Sequence, residues 1–523
     1  MEPHASSSSE RPQSIWLASN PMPEFPPLAT DAQADVVIVG GGIAGLTTAY
    51  QLQRAGKSVI VLEAGALASG ETARTTAHLS CALDDRYTEL ERLHGPEGAR
   101  LAAESHAAAI TTIEHLSKLE KIECGFTRLD GYLFAPTLAE LRDLEAELAA
   151  AHRAGLNDAE LVTRAPLPSF NTGRALRFPN QAQFHPLQYL AGLARAITRD
   201  GDRIFTHTHV VKVQSGKPAR VQTASGATVS ASAVVIATNS PVNDRVVIHT
   251  KQAPYRTYVI GARIPRQSVP LALYWDTADP YHYVRLQSGT NEGEDDILIV
   301  GGEDHKTGQA DDYNARYRHL EQWARERFPI SDVAFHWSGQ VMEPVDGLGF
   351  IGRNPADTDN IYIATGDSGH GMTHGTIAGS LLTDLIMGRK NAWTSLYDPG
   401  RVTTGAAPEF AREGINTAAQ YTDWLTPGTV RHENEVPINS GAVLRRGLSK
   451  VALYRDEAGQ LHECSAVCPH LGGIVHWNGD DRVWECPVHG SRFDRLGKVM
   501  NGPSISDLAP LQHEVKATRG TQG

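Results

Sequence analysis

Ala34-Asp35-Val36-Val37-Ile38-Val39-Gly40-Gly41-Gly42-Ile43-Ala44-Gly45 is an apolar, β-branched run that stops at a glycine triplet. Ile43 to Arg54 then reads as a helix and Ser58 to Glu63 as a second strand, so the segment is a βαβ unit. Gly40-x-Gly42-x-x-Gly45 falls where strand gives way to helix. Glycines at those positions permit the tight turn and let a pyrophosphate approach the N–H groups of the first helical turn, which holds Ile43 and Ala44. Glu63 follows Gly45 by 18 residues, at the end of the second strand. A carboxylate there accepts hydrogen bonds from ribose hydroxyls and repels a 2′-phosphate. The motif alone leaves open a structural glycine turn beside a surface glutamate; its setting favours a dinucleotide.

Three features favour FAD over NAD. Thr228 and the run Ala233-Val234-Val235-Ile236-Ala237-Thr238-Asn239 resemble the late strand that flavoproteins place beside the first βαβ unit. Ile361 to Gly366 reads as a strand, and Asp367-Ser368-Gly369-His370-Gly371-Met372-Thr373-His374-Gly375 as a loop opening a helix through Leu385. The N-terminus of that helix could face the flavin pyrimidine and stabilise negative charge there. Between Val210 and Phe350 there is no second strand, glycine-loop and helix fingerprint, so a substrate is expected to meet the flavin directly. His370 and His374 lack the glutamate of H-E-x-x-H, and a flavin loop accounts for them better than a metal.

The glycine loop, Glu63, Ser69-Gly70-Glu71-Thr72-Ala73-Arg74-Thr75-Thr76 and Gly369-His370-Gly371-Met372 resemble the FAD-dependent oxidoreductases of the D-amino-acid oxidase, sarcosine oxidase and glycine oxidase type. The resemblance runs from about Asp35 to Arg389. It implies an α/β FAD-binding Rossmann-like domain with an α+β substrate domain, hydride transfer from a C–N bond, and a backbone contact from Val210 to adenine. Members with covalently held flavin use a histidine just after Ser-Gly-x-Thr. Arg74 stands in that place, followed by Thr75 and Thr76, so the expected FAD is non-covalent. Arg256, Tyr258, Tyr283 and Arg285 fall in the expected substrate domain and could hold a carboxylate, or be ordinary sheet and surface residues.

Near the C-terminus Cys468-Pro469-His470 is separated by 15 residues from Cys486-Pro487-Val488-His489. Two thiolates and two imidazoles in glycine-bearing loops can hold one zinc or a 2Fe-2S cluster. Zinc sites more often pair like ligands. Here each loop supplies one Cys and one His, which lets the thiolates take one iron and the imidazoles the other. The stretch from Cys468-Pro469-His470-Leu471-Gly472 to Cys486-Pro487-x-His489-Gly490-Ser491-x-Phe493-Asp494 resembles a Rieske domain, from about Val430 to Leu511. The resemblance implies a C-terminal all-β Rieske domain with Cys468, His470, Cys486 and His489 as ligands. Rieske proteins of the respiratory bc type carry a further, disulfide-forming cysteine in each loop; Gly473 and Val488 hold those places. Cys464 has no assigned role, and Cys81 and Cys124 read as small buried thiols.

The balance of 48 Lys+Arg against 60 Asp+Glu, net -12, argues against partnership with nucleic acid or anionic lipid. Residues 431–523 carry 11 basic and 11 acidic side chains, so the whole excess lies in the first 430. Five cysteines in 523 residues are too few for a disulfide framework. No apolar run is long enough for a membrane span, and Met1 to Ser14 lacks the apolar core of a secretory signal, so the expected compartment is the cytoplasm. The expected organisation is a partly disordered arm over 1–34, anchored by Ile15, Trp16 and Leu17; an FAD-dependent oxidoreductase with inserted substrate domain over 35–396; a linker over 397–430, rich in Pro and Gly; a Rieske domain over 431–516; and a tail over 517–523.

A flavin takes two electrons as hydride, whereas a 2Fe-2S cluster carries one, so a fused pair can split a substrate's electrons. The combination resembles a bacterial group of FAD-dependent, Rieske-containing oxidoreductases. It implies a dehydrogenase of a small amine or amino-acid-like substrate that feeds an external one-electron carrier. Two alternatives stay open: a reductase fed through the cluster by a ferredoxin-like partner, and an electron-transfer or redox-sensing module with little turnover of its own.

Overall fold

Val36–Val39 and Val59–Leu62 are unbroken apolar runs, the pattern of strands covered on both faces. In the computed structural model, which describes residues 13–135, 141–243, 248–289, 293, 295–355, 357 and 360–511, they form the middle of a parallel sheet. The start of the arm and the tail 517–523 lie outside the described residues. Strand order is Phe350–Arg353, Ile361–Thr365, Thr228–Ile236, Ala32–Val39, Val59–Leu62 and Arg203–Phe205, with the Phe350–Arg353 edge antiparallel. Strands Arg203–Phe205 and Val210–Gln214 are separated by a short loop in which Thr206 and Thr208 bond the N-terminal arm at Phe25 and Leu28.

Helix Ile43–Arg54 has the bounds that its sequence predicts, and it packs on helix Gly371–Ile386. Glycines set that packing. A Cβ on Gly375 would lie 2.7 Å from Ile43 Cγ2, and one on Gly379 2.5 Å from Thr47 Cγ2. The first turns of the two helices are thereby brought to one end of the sheet, beside the glycine loop.

The second sheet runs Val333–Pro344, Gln252–Ile264, Asp296–Lys306, His282–Gln287, Leu273–Asp276, Thr127–Phe134, Ala175–Gln183 and His78–Leu79, with Glu160–Val162 also on Ala175–Gln183. Strand alternation divides its residues between two faces. On Gln252–Ile264, Tyr258 and Ile260 pack with helix Tyr313–Arg325, while Val259 joins the core shared with the flavin sheet.

Residues 397–430 are more ordered than their Pro and Gly content suggests. Ala407–Gln420 is an α-helix with Pro408 in its first turn, where a missing N–H costs nothing, and Tyr421–Leu425 is a 3-10 turn. The helix is strapped to the second sheet by a Lys306–Glu413 ion pair and a hydrogen bond from Gln309 Nε2 to Asn416 at 3.0 Å. The turn then reaches the C-terminal module: Tyr421 Oη and Trp424 Nε1 donate to the carbonyls of Leu471 and Gly472.

That module is two small antiparallel sheets, Ser440–Arg446 with Ser449–Arg455 and Leu461–Ser465, and His476–Asn478 with Val483–Glu485, Arg492–Asp494 and Val499–Asn501. A buried charge network docks it. Arg256 on the second sheet bonds Asp481 and lies 3.5 Å from Glu485, and Arg492 completes the group at 2.5 Å from Asp481 and 3.4 Å from Glu485. Burial works against a charge on Asp481, but Arg256 and Arg492 overcome it and hold the carboxyl far below the ordinary range. Arg256, expected at the substrate, is therefore a docking residue: its strand turns Thr257 toward the flavin side and Arg256 away. Arg256→Ala would leave two buried acids facing Arg492 alone, a loss of about 3–5 kcal/mol. It should lower the melting temperature and expose the C-terminal module to limited trypsin digestion; a wild-type digestion pattern would show that the network does not hold the module.

Candidate functional site

All of the residues expected to hold FAD line one cavity, save Gly45. Gly45 shapes the turn instead, since a Cβ there would lie 1.9 Å from Gly40 O. Gly40 has φ +110° and abuts Ala237 O, and Gly42 caps the helix without a side chain, so backbone N–H groups face the cavity end. Glu63 accepts from the amides of Gly41 at 2.7 Å and Gly65 at 2.9 Å. Burial pushes its carboxyl up, and those amides pull the other way. Val210 lines the same cavity, as does the first turn of the helix that begins at Gly371.

Arg74, Thr75 and Thr76 belong to an arm over 72–77 that is braced from behind. Trp16 Nε1 donates to Thr75 O at 2.6 Å, Ser14 Oγ to Ala73 O at 2.6 Å, and Trp337 Nε1 to Arg74 O at 2.8 Å. Arg285, also expected at the substrate, is part of this brace. Its Nη1 donates to the carbonyls of Thr76, Ala77 and Phe184, its guanidinium lies over the Trp16 ring, and burial lowers its pKa to about 9. Tyr258 hydrogen-bonds His305 on the other face of its sheet. Of the four substrate candidates only Tyr283 lines the cavity, with its hydroxyl bonded to Thr257.

The substrate end also holds residues that motif reading passed over: His78, Asp84, Thr257, Trp275 and Tyr281. None has a sequence signature; His78, Thr257 and Trp275 are brought together by the sheet, Tyr281 precedes the strand that begins at His282, and Asp84 comes from a turn. Burial, with Arg285 nearby, lowers His78 to about 3, so its ring is neutral. Burial raises Asp367, which lines the same end, to about 6. Behind it Ser368 Oγ lies 2.6 Å from Asp85 and 3.0 Å from Glu343. One hydroxyl proton cannot serve both carboxylates, and burial raises both, Asp85 to about 6.

Two loops built alike carry the Cys and His pairs. In each, the amide four residues after the cysteine bonds back to it, Gly472 N to Cys468 O and Gly490 N to Cys486 O, with those glycines at φ +78° and +77°. Cys468 and Cys486 are buried in one hydrophobic cluster, and the His470 and His489 rings meet edge to face with centroids 5.0 Å apart. Cysteine is thus set with cysteine and histidine with histidine, which suits a cluster with two thiolates on one iron and two imidazoles on the other. His489 Nδ1 is buried with no hydrogen-bond partner among the described residues, as an iron ligand should be. A Cβ on Gly473 would lie 2.4 Å from Val488 Cγ2, so packing fills the space of the missing disulfide, and all five cysteines are free. Burial raises the thiols of Cys81 and Cys124, and takes Cys464 up to about 12, which leaves the three as inert packing groups. His370 and His374 are not gathered with a third ligand: among the described residues no three His, Cys, Asp or Glu side chains surround a point fit for one metal ion.

A dinucleotide cradle facing a substrate sheet, joined to a Rieske module, defines a flavin- and iron-sulfur-dependent oxidoreductase. The chain belongs to the FAD dependent oxidoreductase (DAO) family, whose model matches residues 35–385, and carries a Rieske [2Fe-2S] domain matched over 426–512. It therefore binds FAD and a 2Fe-2S cluster. Over 96% of its length it is 32% identical to a putative Rieske 2Fe-2S iron-sulfur protein, YhfW, of Bacillus subtilis (strain 168), covering 98% of that protein. Over 72% of its length it is 28% identical to gamma-glutamylputrescine oxidoreductase of Escherichia coli (strain K12), covering 90% of it. The crystal structure of glycine oxidase from Geobacillus kaustophilus shares the fold, with TM-score 0.61 and 20% identity over 71% of this chain and 99% of that one. Among the described residues no helix is long and apolar enough to cross a membrane.

Three substitutions separate the parts of the site. Gly45→Ala should yield protein without flavin absorbance but with wild-type iron content, and Cys468→Ser the reverse; retention of the missing group in either would sink that assignment. Glu343→Gln should raise the melting temperature at neutral pH. A carboxyl with a raised pKa favours the fold while protonated, so its contribution is lost as pH climbs from the ordinary carboxylate range through the raised value. The variant should flatten that decline, and a melting curve against pH that superimposes on wild type would exclude the raised acid.

Proposed function

We propose that the protein oxidises the C–N bond of a small amine or amino-acid-like substrate at FAD and passes the electrons singly to the Rieske cluster. The observation that carries this reading is the shared cavity. The glycine cradle and the helix start at Gly371 form part of its wall, and Val499, Asn501, Gly502 and Ser504 of the Rieske module form another part. In this reading the amides after Gly42 hold the pyrophosphate, Glu63 the ribose and the Val210 backbone the adenine, with Arg74, Thr75 and Thr76 along the ring system. Cys468 and Cys486 hold one iron, and His470 and His489 the other. When bound, the flavin supplies a two-electron acceptor and the cluster a one-electron carrier.

The substrate end favours a cation. Arg256 and Arg285 are engaged elsewhere, and the ionisable groups lining the cavity there are Asp367, Asp84 with His370 beside it at 3.6 Å, a neutral His78, and the phenols of Tyr281 and Tyr283. Asp367, with its pKa near 6, is placed to take the proton of an ammonium group, leaving the neutral amine that a hydride transfer requires. The Escherichia coli relative is named for gamma-glutamylputrescine and the solved neighbour for glycine, both of which carry an amine.

Anaerobic mixing with a panel of diamines, N-methylated amines and amino acids tests the reading. A cationic amine should bleach the flavin and bring up the EPR signal of the reduced cluster. If no amine does so while a reduced ferredoxin does, the electrons run the other way. For an active amine, kcat/KM should fall as pH drops through about 6, when Asp367 takes up a proton, and Asp367→Asn should remove that limb.

A further inference from the structure

His249 is not a cluster ligand, yet its ring is seated on both ligand histidines. The centroid separation is 5.0 Å to His470 and 5.6 Å to His489. It comes from the flavin part of the chain, on the 3-10 turn His249–Lys251, and is 2% exposed. Its Nε2 donates to Pro241 O at 3.1 Å. Pro241 lies between Thr238-Asn239 and Val242, which line the flavin cavity. A short packed path therefore runs from the cavity wall through the Pro241 carbonyl and the His249 ring to the imidazoles that face the iron. The domains are pressed together around this path. A Cβ on Gly490, next to His489, would lie 2.6 Å from Pro254 Cβ, and one on Gly308 would lie 3.0 Å from Pro487 N. Gln309 Nε2 also donates to Pro487 O at 3.1 Å.

We propose that His249 is the bridge through which electrons cross between flavin and cluster. The inference rests on the proposed joining of the two cofactors. Electrons tunnel faster through atoms in van der Waals contact than across a gap or a water layer, and His249 replaces both with a ring in contact with each cluster imidazole. Each crossing moves one electron from the reduced flavin to the oxidised cluster. A two-electron oxidation thus needs two crossings, with an external one-electron acceptor emptying the cluster between them.

The test photoreduces the flavin of the intact holoprotein anaerobically by a light flash, with oxalate as sacrificial electron donor and no amine present, and follows the cluster absorbance. In His249→Ala, prepared with wild-type FAD, iron and sulfide, transfer should slow about tenfold or more, since placement rather than chemistry limits it. The EPR g values of the reduced cluster should shift as its histidines lose their neighbour, which a remote structural residue would not cause. His249→Phe keeps a ring in place and should transfer near the wild-type rate. Wild-type transfer in His249→Ala overturns the bridge. If that variant loses its cluster, His249→Leu is compared with His249→Phe: slower transfer through Leu supports the bridge, and equal rates overturn it. Absence of transfer in the wild type removes the joining of the cofactors, and the bridge with it, whereas failure of the amine panel alone leaves this measurement intact.

Discussion

Four buried side chains, Arg256 and Arg492 against Asp481 and Glu485, decide where the Rieske module sits. Two charges of each sign cancel, and each acid touches both arginines. Desolvating four charges is expensive, so such a group adds little net stability over an apolar contact of the same shape. Its effect is selectivity. Any other docking pose would bury some of these charges without partners, at a cost of several kcal/mol. The module's neutral balance of charge over 431–523 offers no long-range attraction to the acidic flavin part, so short-range matching carries the orientation.

Glu71 extends that matching to the cofactor arm. Its Oε2 accepts from Gln340 N at 2.7 Å and its Oε1 from Asn501 Nδ2 at 3.2 Å, with Arg492 4.0 Å away. One carboxylate thus ties the arm carrying Arg74, the second sheet and the Rieske strand Val499–Asn501. Trp16 and Arg285 hold the same arm from the far side. Three residues of unlike type so fix one six-residue segment, and substitutions of Trp16 or Arg285 would be felt at the flavin cavity although neither lines it.

Much of this was legible in the sequence where local physics decides. Helix Ile43–Arg54 could be bounded to the residue because a glycine triplet opens it and the following strand is wholly apolar. The two cluster loops could be read because ligand chemistry restricts both residue type and spacing. What escaped depends on long-range placement. Arg256 and Thr257 are neighbours in sequence, and only the pairing of Gln252–Ile264 with two partner strands settles which of them faces the flavin side. A one-residue difference in parity moved a candidate substrate contact into a domain interface. The helix Ala407–Gln420 was hidden for another reason: its Pro lies in the one helical turn that tolerates it, and its order comes from Lys306 and Gln309, a hundred residues upstream in the chain. His249 has no motif at all; its neighbours His470 and His489 arrive from the other end of the protein.

The shared cavity couples dinucleotide binding to docking of the Rieske module. Val499, Asn501, Gly502 and Ser504 help to enclose the space that the glycine cradle opens, so a dinucleotide held there meets both parts of the chain at once. Any ligand that gains contacts only in the docked arrangement strengthens docking by as much as docking strengthens its binding. The Arg256 network and a dinucleotide held there are therefore mutually stabilising, although none of the network's four side chains reaches the cavity wall. The same coupling argues for a stationary Rieske head. A module that swung away to meet an external carrier would open the flavin cavity to water on every cycle and expose four buried charges. An arrangement that keeps the head docked and lets the carrier come to the cluster avoids both costs.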